Sequence, residues 1–136
     1  MNPFTLYVSE KDSRDIYPGN DPSDFTIQLP KILILEGAWT CCIKKVHLNV
    51  SGAIQKPLMV LCYFGEESYR YGSNEPMLME FVLKSEGGWT EYEEYCSDGY
   101  VGIKNNSLRI IRFRLTGDTD GVVSELRLQL HFKRRL

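Results

Sequence analysis

Apolar and polar residues alternate with a period of two over short runs, and a helical spacing of 3.6 is almost absent. Phe4–Val8 is the first such run. In the next, Phe25, Ile27 and Leu29 alternate with Thr26 and Gln28, a half-buried strand stopped by Pro30. Ile32–Leu35 leads into a turn at Glu36-Gly37, after which Trp39, Cys41 and Ile43 share one face while Val46, Leu48 and Val50 continue in the opposite phase. That slip at Lys44-Lys45 predicts a β-bulge. Pro57–Phe64 and Met77–Leu83 are nearly continuous apolar runs of strand length, as expected of core strands. Residues 85–99, rich in acids and aromatics, are expected to form a loop holding a short helix or an irregular strand.

The end of the chain alternates most clearly. Leu108, Ile110, Ile111, Phe113 and Leu115 are interleaved with Arg109, Arg112 and Arg114. Leu126, Leu128, Leu130 and Phe132 are interleaved with Arg127, Gln129, His131 and Lys133. The turn-rich stretch Thr116–Gly121 between them predicts either an antiparallel pair or two strands in facing sheets. Seven to nine strands in 136 residues, with only Ala38 and Ala53 as alanines, predict an all-β antiparallel sandwich. A single jelly roll of about eight strands over 1–136 is preferred to an immunoglobulin arrangement, because no Cys…Trp…Cys spacing is present.

Composition narrows the chemistry. One domain of this size leaves no room for a separate cofactor domain, and no cofactor is expected. No apolar run approaches a membrane span, and residues 1–6 lack the pattern of a signal peptide, so neither spanning nor classical secretion is expected. Cys41, Cys42, Cys62 and Cys96 show no CxxC, and His47 and His131 lie far apart, which is not zinc-ligand spacing. Neighbouring strand residues face opposite ways, so Cys41 and Cys42 cannot face one partner, and reduced thiols are expected in preference to a disulfide framework.

No catalytic constellation emerges. There is no GxSxG, and both histidines fall on outward faces, away from any nucleophile. Glu91, Glu93 and Glu94 have the charge of a paired-carboxylate site, but beside Tyr92 and Tyr95 they fit a solvated loop or a contact surface better. Asp118-Thr119-Asp120-Gly121 imitates the start of a calcium loop, yet Gln129 stands where the closing glutamate belongs. Glu36–Thr40 and Glu86–Thr90 share a spelling that turn chemistry alone explains.

Charge is unevenly distributed. Residues 1–100 hold 8 Lys and Arg against 15 Asp and Glu, while residues 101–136 hold 8 against 3. Arg109, Arg112, Arg114, Arg127, Lys133, Arg134 and Arg135 form one basic face if the last two strands are neighbours. Such a face fits a subunit contact, or nonspecific contact with a polyanion such as a genome, and lacks the interleaved aromatics of base stacking. Trp89, Tyr92, Tyr95 and Tyr100 offer a second surface, the aromatic platform of a carbohydrate-binding β-sandwich.

One stretch carries a more distinctive spelling: Tyr17-Pro18-x-Asn20, Ser23-x-Phe25-Thr26-x-Gln28-Leu29-Pro30, then Leu33-x-Leu35-x-Gly37-x-Trp39 and the apolar strand through Ile43 and Val46. It resembles the N-terminal segment of penton-type minor capsid proteins of Polinton/Maverick elements and adintovirus-like DNA viruses. In that family the Trp is commonly followed by an acidic residue and then Val or Ala, whereas Thr40-Cys41-Cys42 follows here. The resemblance implies a single jelly roll without enzymatic activity, assembling into pentamers beside a major capsid protein at icosahedral vertices. Such a protein is made inside a host cell and resides in the virion. The matching residues are of the kind that build a fold, with turn formers at Asn20, Ser23 and Gly37 and core formers at Phe25 and Trp39.

Overall fold

Among the described residues the chain forms eleven strands, the longer ones following its period-two alternation: β1 Phe4–Ser9, β2 Asp24–Ile34, β3 Trp39–Val50, β4 Ile54–Cys62, β5 Ser68–Arg70, β6 Ser73–Glu75, β7 Met77–Ser85, β8 Gly88–Glu93, β9 Val101–Gly102, β10 Ser107–Thr116 and β11 Val123–Arg134. The computed structural model describes residues 2–64, 68–70, 73–93, 99–104, 106–117 and 121–135, with backbone alone at 54, 68–70 and 73–75. Among the described residues no helix is long and apolar enough to cross a membrane.

The strands form two antiparallel sheets. The first runs β1-β11-β3-β8 with the short β9 also paired to β3, and the second runs β2-β10-β4-β7, while β5 and β6 form a separate hairpin. The pairing is nested: β1 with β11, β2 with β10, β3 with β8 and β4 with β7. The chain is therefore a long antiparallel ribbon wound over itself, with further pairing of β11 to β3 and of β10 to β4 knitting the turns together. This is the wiring of a single jelly roll, as the sequence predicts.

Each sheet turns one greasy face inward. Phe25, Ile27, Trp39, Ile43, Leu48, Val60, Leu83, Phe113, Leu128 and Phe132 belong to one contiguous core. Aromatic rings interlock within it: Phe4 stacks on Phe132 with centroids 4.7 Å apart, and Phe25 on Phe113 at 5.2 Å. Trp39, only 2% exposed, donates its indole N–H to the Glu36 carbonyl at 2.9 Å, which satisfies its single polar atom. Upstream, the Asn20 amide clamps the backbone of Thr26 from both sides, accepting its N–H at 2.9 Å and donating to its carbonyl at 2.7 Å. The resembling segment is thus built from residues that hold the fold.

Lys44 is the bulge that the phase slip predicts. Gln129 opposes Lys45 and Leu130 opposes Ile43, so Lys44 is left between rungs and both halves of β3 reach the core. Pro30, by contrast, does not end its strand. β2 continues to Ile34 because it is a sheet edge, and the ladder with β10 jumps from Gln28↔Ile110 to Leu33↔Leu108 across the proline. The loop expected at 85–99 is corrected in part: Gly88–Glu93 is a regular strand along β3, entered through Gly87 and Gly88 at positive φ. Residues 94–98 and the calcium-loop look-alike at 118–120 lie outside the described residues.

Gly117 marks the tightest backbone approach. Its φ is +95°, and a Cβ there would sit 2.5 Å from the Pro57 carbonyl oxygen, whereas Gly37, at +85°, faces open space. Gly37→Ala is expected to cost about 1 kcal/mol from backbone strain alone, and Gly117→Ala at least about 2 kcal/mol more. Urea unfolding monitored by Trp fluorescence checks this, and equal losses at the two sites would contradict the packing described.

Candidate functional site

Because the inner faces are consumed by the core, recognition chemistry falls on the outer faces and edges. The outer face of the first sheet is assembled by register from four strands. One rung carries Ser9, Arg127, His47 and Glu91 across β1, β11, β3 and β8; the next carries Tyr7, Gln129, Lys45 and Glu93. Cross-strand neighbours on one face stand about 5 Å apart, so these side chains meet although they are distant in sequence.

They do so as a connected network. Lys45 Nζ bridges Glu91 at 3.2 Å and Glu93 at 3.1 Å, which raises the lysine pKa above its ordinary value, Glu93 contributing most. Gln129 Nε2 donates to the Tyr7 hydroxyl at 2.9 Å. Trp89 stands 44% exposed, with the His47 ring at 4.6 Å and the Arg127 guanidinium over its face at 4.5 Å. Lys11 pairs with Glu125 at 2.6 Å and holds that carboxyl below its usual range. The strands cradle a groove of about 580 Å³ lined by Tyr7, Asp12, His47, Glu91, Arg127 and Gln129 among others. With aromatic rings, an amide and both signs of charge, the groove is equipped for binding through stacking and hydrogen bonds.

The single basic face is corrected. Arg109, Arg112 and Arg114 lie on β10 in the second sheet, whereas Arg127 and Lys133 lie on β11 in the first, so the two sets point out of opposite sides of the sandwich, and Arg134 ends β11 opposite buried Trp39. The nested wiring sends β10 and β11 to opposite sheets although they follow one another in the chain. Most of these cations are also engaged locally. Arg112 grips Asp24 with two hydrogen bonds of 3.0 and 2.7 Å, and Arg114 donates to the Tyr63 hydroxyl at 3.3 Å. Lys133 sits over Tyr100 at 4.0 Å and Arg134 over Trp39 at 5.8 Å, while the Arg135 N–H donates to the Ala38 carbonyl at 2.8 Å. Arg109 is exposed.

The aromatic platform is corrected too. Trp89 and Tyr92 are three residues apart on one strand and face opposite ways. Tyr92 packs on Phe81 at 4.8 Å and exchanges hydrogen bonds with the Lys84 backbone, closing the β7–β8 edge. Tyr100 bonds His131 Nδ1 at 2.7 Å instead of joining Trp89, and Tyr95 lies outside the described residues. In exchange, the fold brings Trp89 to Arg127, two residues that the sequence pattern places on separate surfaces. Tyr7, Lys45 and Gln129 carry no signal in the sequence, since only strand pairing brings them into one groove.

The thiols are set by burial. Cys41 and Cys62 are free and buried in the core, where desolvation pushes both thiols well above their ordinary pKa and removes their nucleophilicity. The expectation of reduced thiols throughout is corrected at Cys42, which is disulfide-bonded. Alternation turns Cys42 away from the core that holds Cys41; it excludes a shared partner but leaves Cys42 open to a bond of its own. Cys96 lies outside the described residues. Among the described residues no three His, Cys, Asp or Glu side chains gather as a metal site would require.

The Asp24–Arg112 pair has a signature in pH. The hydrogen bonds from Arg112 hold the Asp24 carboxyl below its ordinary 3.8, so the folded state binds that proton less readily than the unfolded chain. Its stabilisation is complete above the unfolded value and is lost as pH falls through the lowered folded value. Urea midpoints at about pH 6 and about pH 3 should therefore drop further for the wild type than for Asp24→Asn, and equal drops would contradict the pairing.

Comparison of the chain with protein-family models, curated proteins and solved structures finds no match.

Proposed function

We propose that this chain is a structural virion protein, a penton-type minor capsid subunit that acts by assembling into closed homo-oligomers, pentamers at icosahedral vertices, next to a major capsid protein. The observation that carries this reading is the nested strand order β1-β11-β3-β8 over β2-β10-β4-β7. It is joined by the resemblance of residues 17–46, whose matching positions serve as turn clamps and core anchors. In this reading the protein is not an enzyme: the deeply buried free thiols and the outward, hydrogen-bonded His131 supply no nucleophile and base in contact. Cations on both outer faces leave room for contact with acidic neighbours or with the genome.

A second reading, a carbohydrate-binding β-sandwich, draws support from the groove near exposed Trp89, whose lining mixes an aromatic ring, an amide and both signs of charge. The two readings separate experimentally. Sedimentation velocity over a concentration series should show a discrete species of roughly five times the 15.7 kDa chain mass; a monomer at every concentration, alone and with the major capsid protein, would refute the first reading. A glycan array with hits that vanish in Trp89→Ala would favour the second, and an array without hits would remove it.

A further inference from the structure

The outer face of the second sheet bears two apolar features at opposite corners. The first is a ridge. Ile32 and Ile34 on β2 and Ile110 on β10 are 51%, 56% and 61% exposed, and the ladder irregularity at Pro30 brings the end of β2 alongside the start of β10. Large β-branched side chains standing in water along a sheet edge are what soluble proteins ordinarily avoid. Lys31 and Arg109, both exposed, flank the ridge.

The second feature is a hollow of about 380 Å³ at the far end of β10, lined by Pro57, Leu58, Met59, Thr116 and Gly117, with the Glu80 carboxylate at its rim. Val82, 47% exposed, stands beside it as the register partner of Pro57. Gly117 lets the end of β10 close on β4 at one wall of the hollow: a Cβ there would sit 2.5 Å from the Pro57 carbonyl oxygen. Ile110 and Thr116 are six residues apart along one strand, about 20 Å. Between the two features the sheet is polar, crossed by the Asp24–Arg112 pair and by Tyr63 with Arg114. A chain therefore cannot fill its own hollow with its own ridge.

We propose that the isoleucine ridge of one copy seats in the Pro57–Met59–Gly117 hollow of the next, with Lys31 and Arg109 of the first copy facing Glu80 of the second. This rests on the reading of the protein as a self-assembling subunit and names the surface through which it assembles. Apolar complements apolar, and cations meet an acidic rim. The occupant is a second copy because both halves of the contact are present on every copy. A contact between two different patches of the same chain is heterologous, and it closes a ring when its rotation is a whole fraction of a turn.

The test uses the full chain and three variants. Ile34→Glu with Ile110→Glu disables the ridge, and Pro57→Arg disables the hollow; Glu80→Lys is a second hollow variant that reverses the charge beside it. All change exposed positions, so the thermal unfolding midpoint should stay near that of the wild type. Each variant alone should lose self-association at least about tenfold by sedimentation velocity. Mixed, a ridge variant and a hollow variant retain one intact ridge and one intact hollow, and should form a one-to-one heterodimer that grows no further. If the wild type forms closed oligomers and the variants form them equally well, this contact is wrong while the capsid reading stands. If the ridge variant fails but the hollow variant still self-associates, the ridge packs on another ridge and the proposal is overturned. A wild type that never associates, even with the major capsid protein, overturns both.

Discussion

Nested antiparallel pairing is the constraint on which the rest of the molecule depends. β1 cannot lie beside β11, nor β2 beside β10, until the chain has folded back on itself near its middle, since Phe4 pairs with Phe132 and Asp24 with Arg114. Once the ribbon is closed, β1 to β4 fall alternately into the two sheets, as do β10 and β11, and the inward faces of the two sheets meet in one core. The core, the bulge at Lys44 and the clamp of Asn20 on Thr26 are all consequences of keeping that ribbon in register. So is the division of labour between faces: the inner ones are committed to dryness, and only the outer ones and the edges remain for contact with anything else.

How much of this is legible in the sequence depends on the range of the interaction. Alternation in Phe25–Leu29 and Leu126–Phe132 is a local property and predicts buried and exposed positions correctly. The opposite phases on either side of Lys44-Lys45 predict a bulge that the ladder with β11 contains. Pro30 misleads because its missing N–H matters only if the strand is flanked on both sides, and edge position is a property of the sheet. Residues 88–93 mislead for a related reason: Trp89, Glu91 and Glu93 look like loop residues until the neighbouring strand β3 supplies a lysine and a histidine for them to contact.

The functional surfaces are less legible still, since they are made by lateral neighbours. Seven cations near the end of the chain look like one basic face in sequence, yet the wiring sends β10 and β11 to opposite sheets and most of those cations to local partners. Conversely, Tyr7, Lys45, His47 and Glu91 share no motif, and register alone assembles them into a groove. The exposed isoleucines were visible as letters, but their exposure follows from the irregular ladder at Pro30 and from the absence of a strand beyond β2 among the described residues. The inner faces of this small sandwich are committed to its core, so only the outer faces and edges are left for contact, and our proposal is that they act by meeting other copies of the chain.

That claim is tested most directly by negative-stain electron microscopy of the purified full-length protein across a concentration series. The account predicts class averages of closed rings with rotational symmetry, their population rising with concentration. Isolated single-domain particles at every concentration, or open filaments without closure, would contradict it.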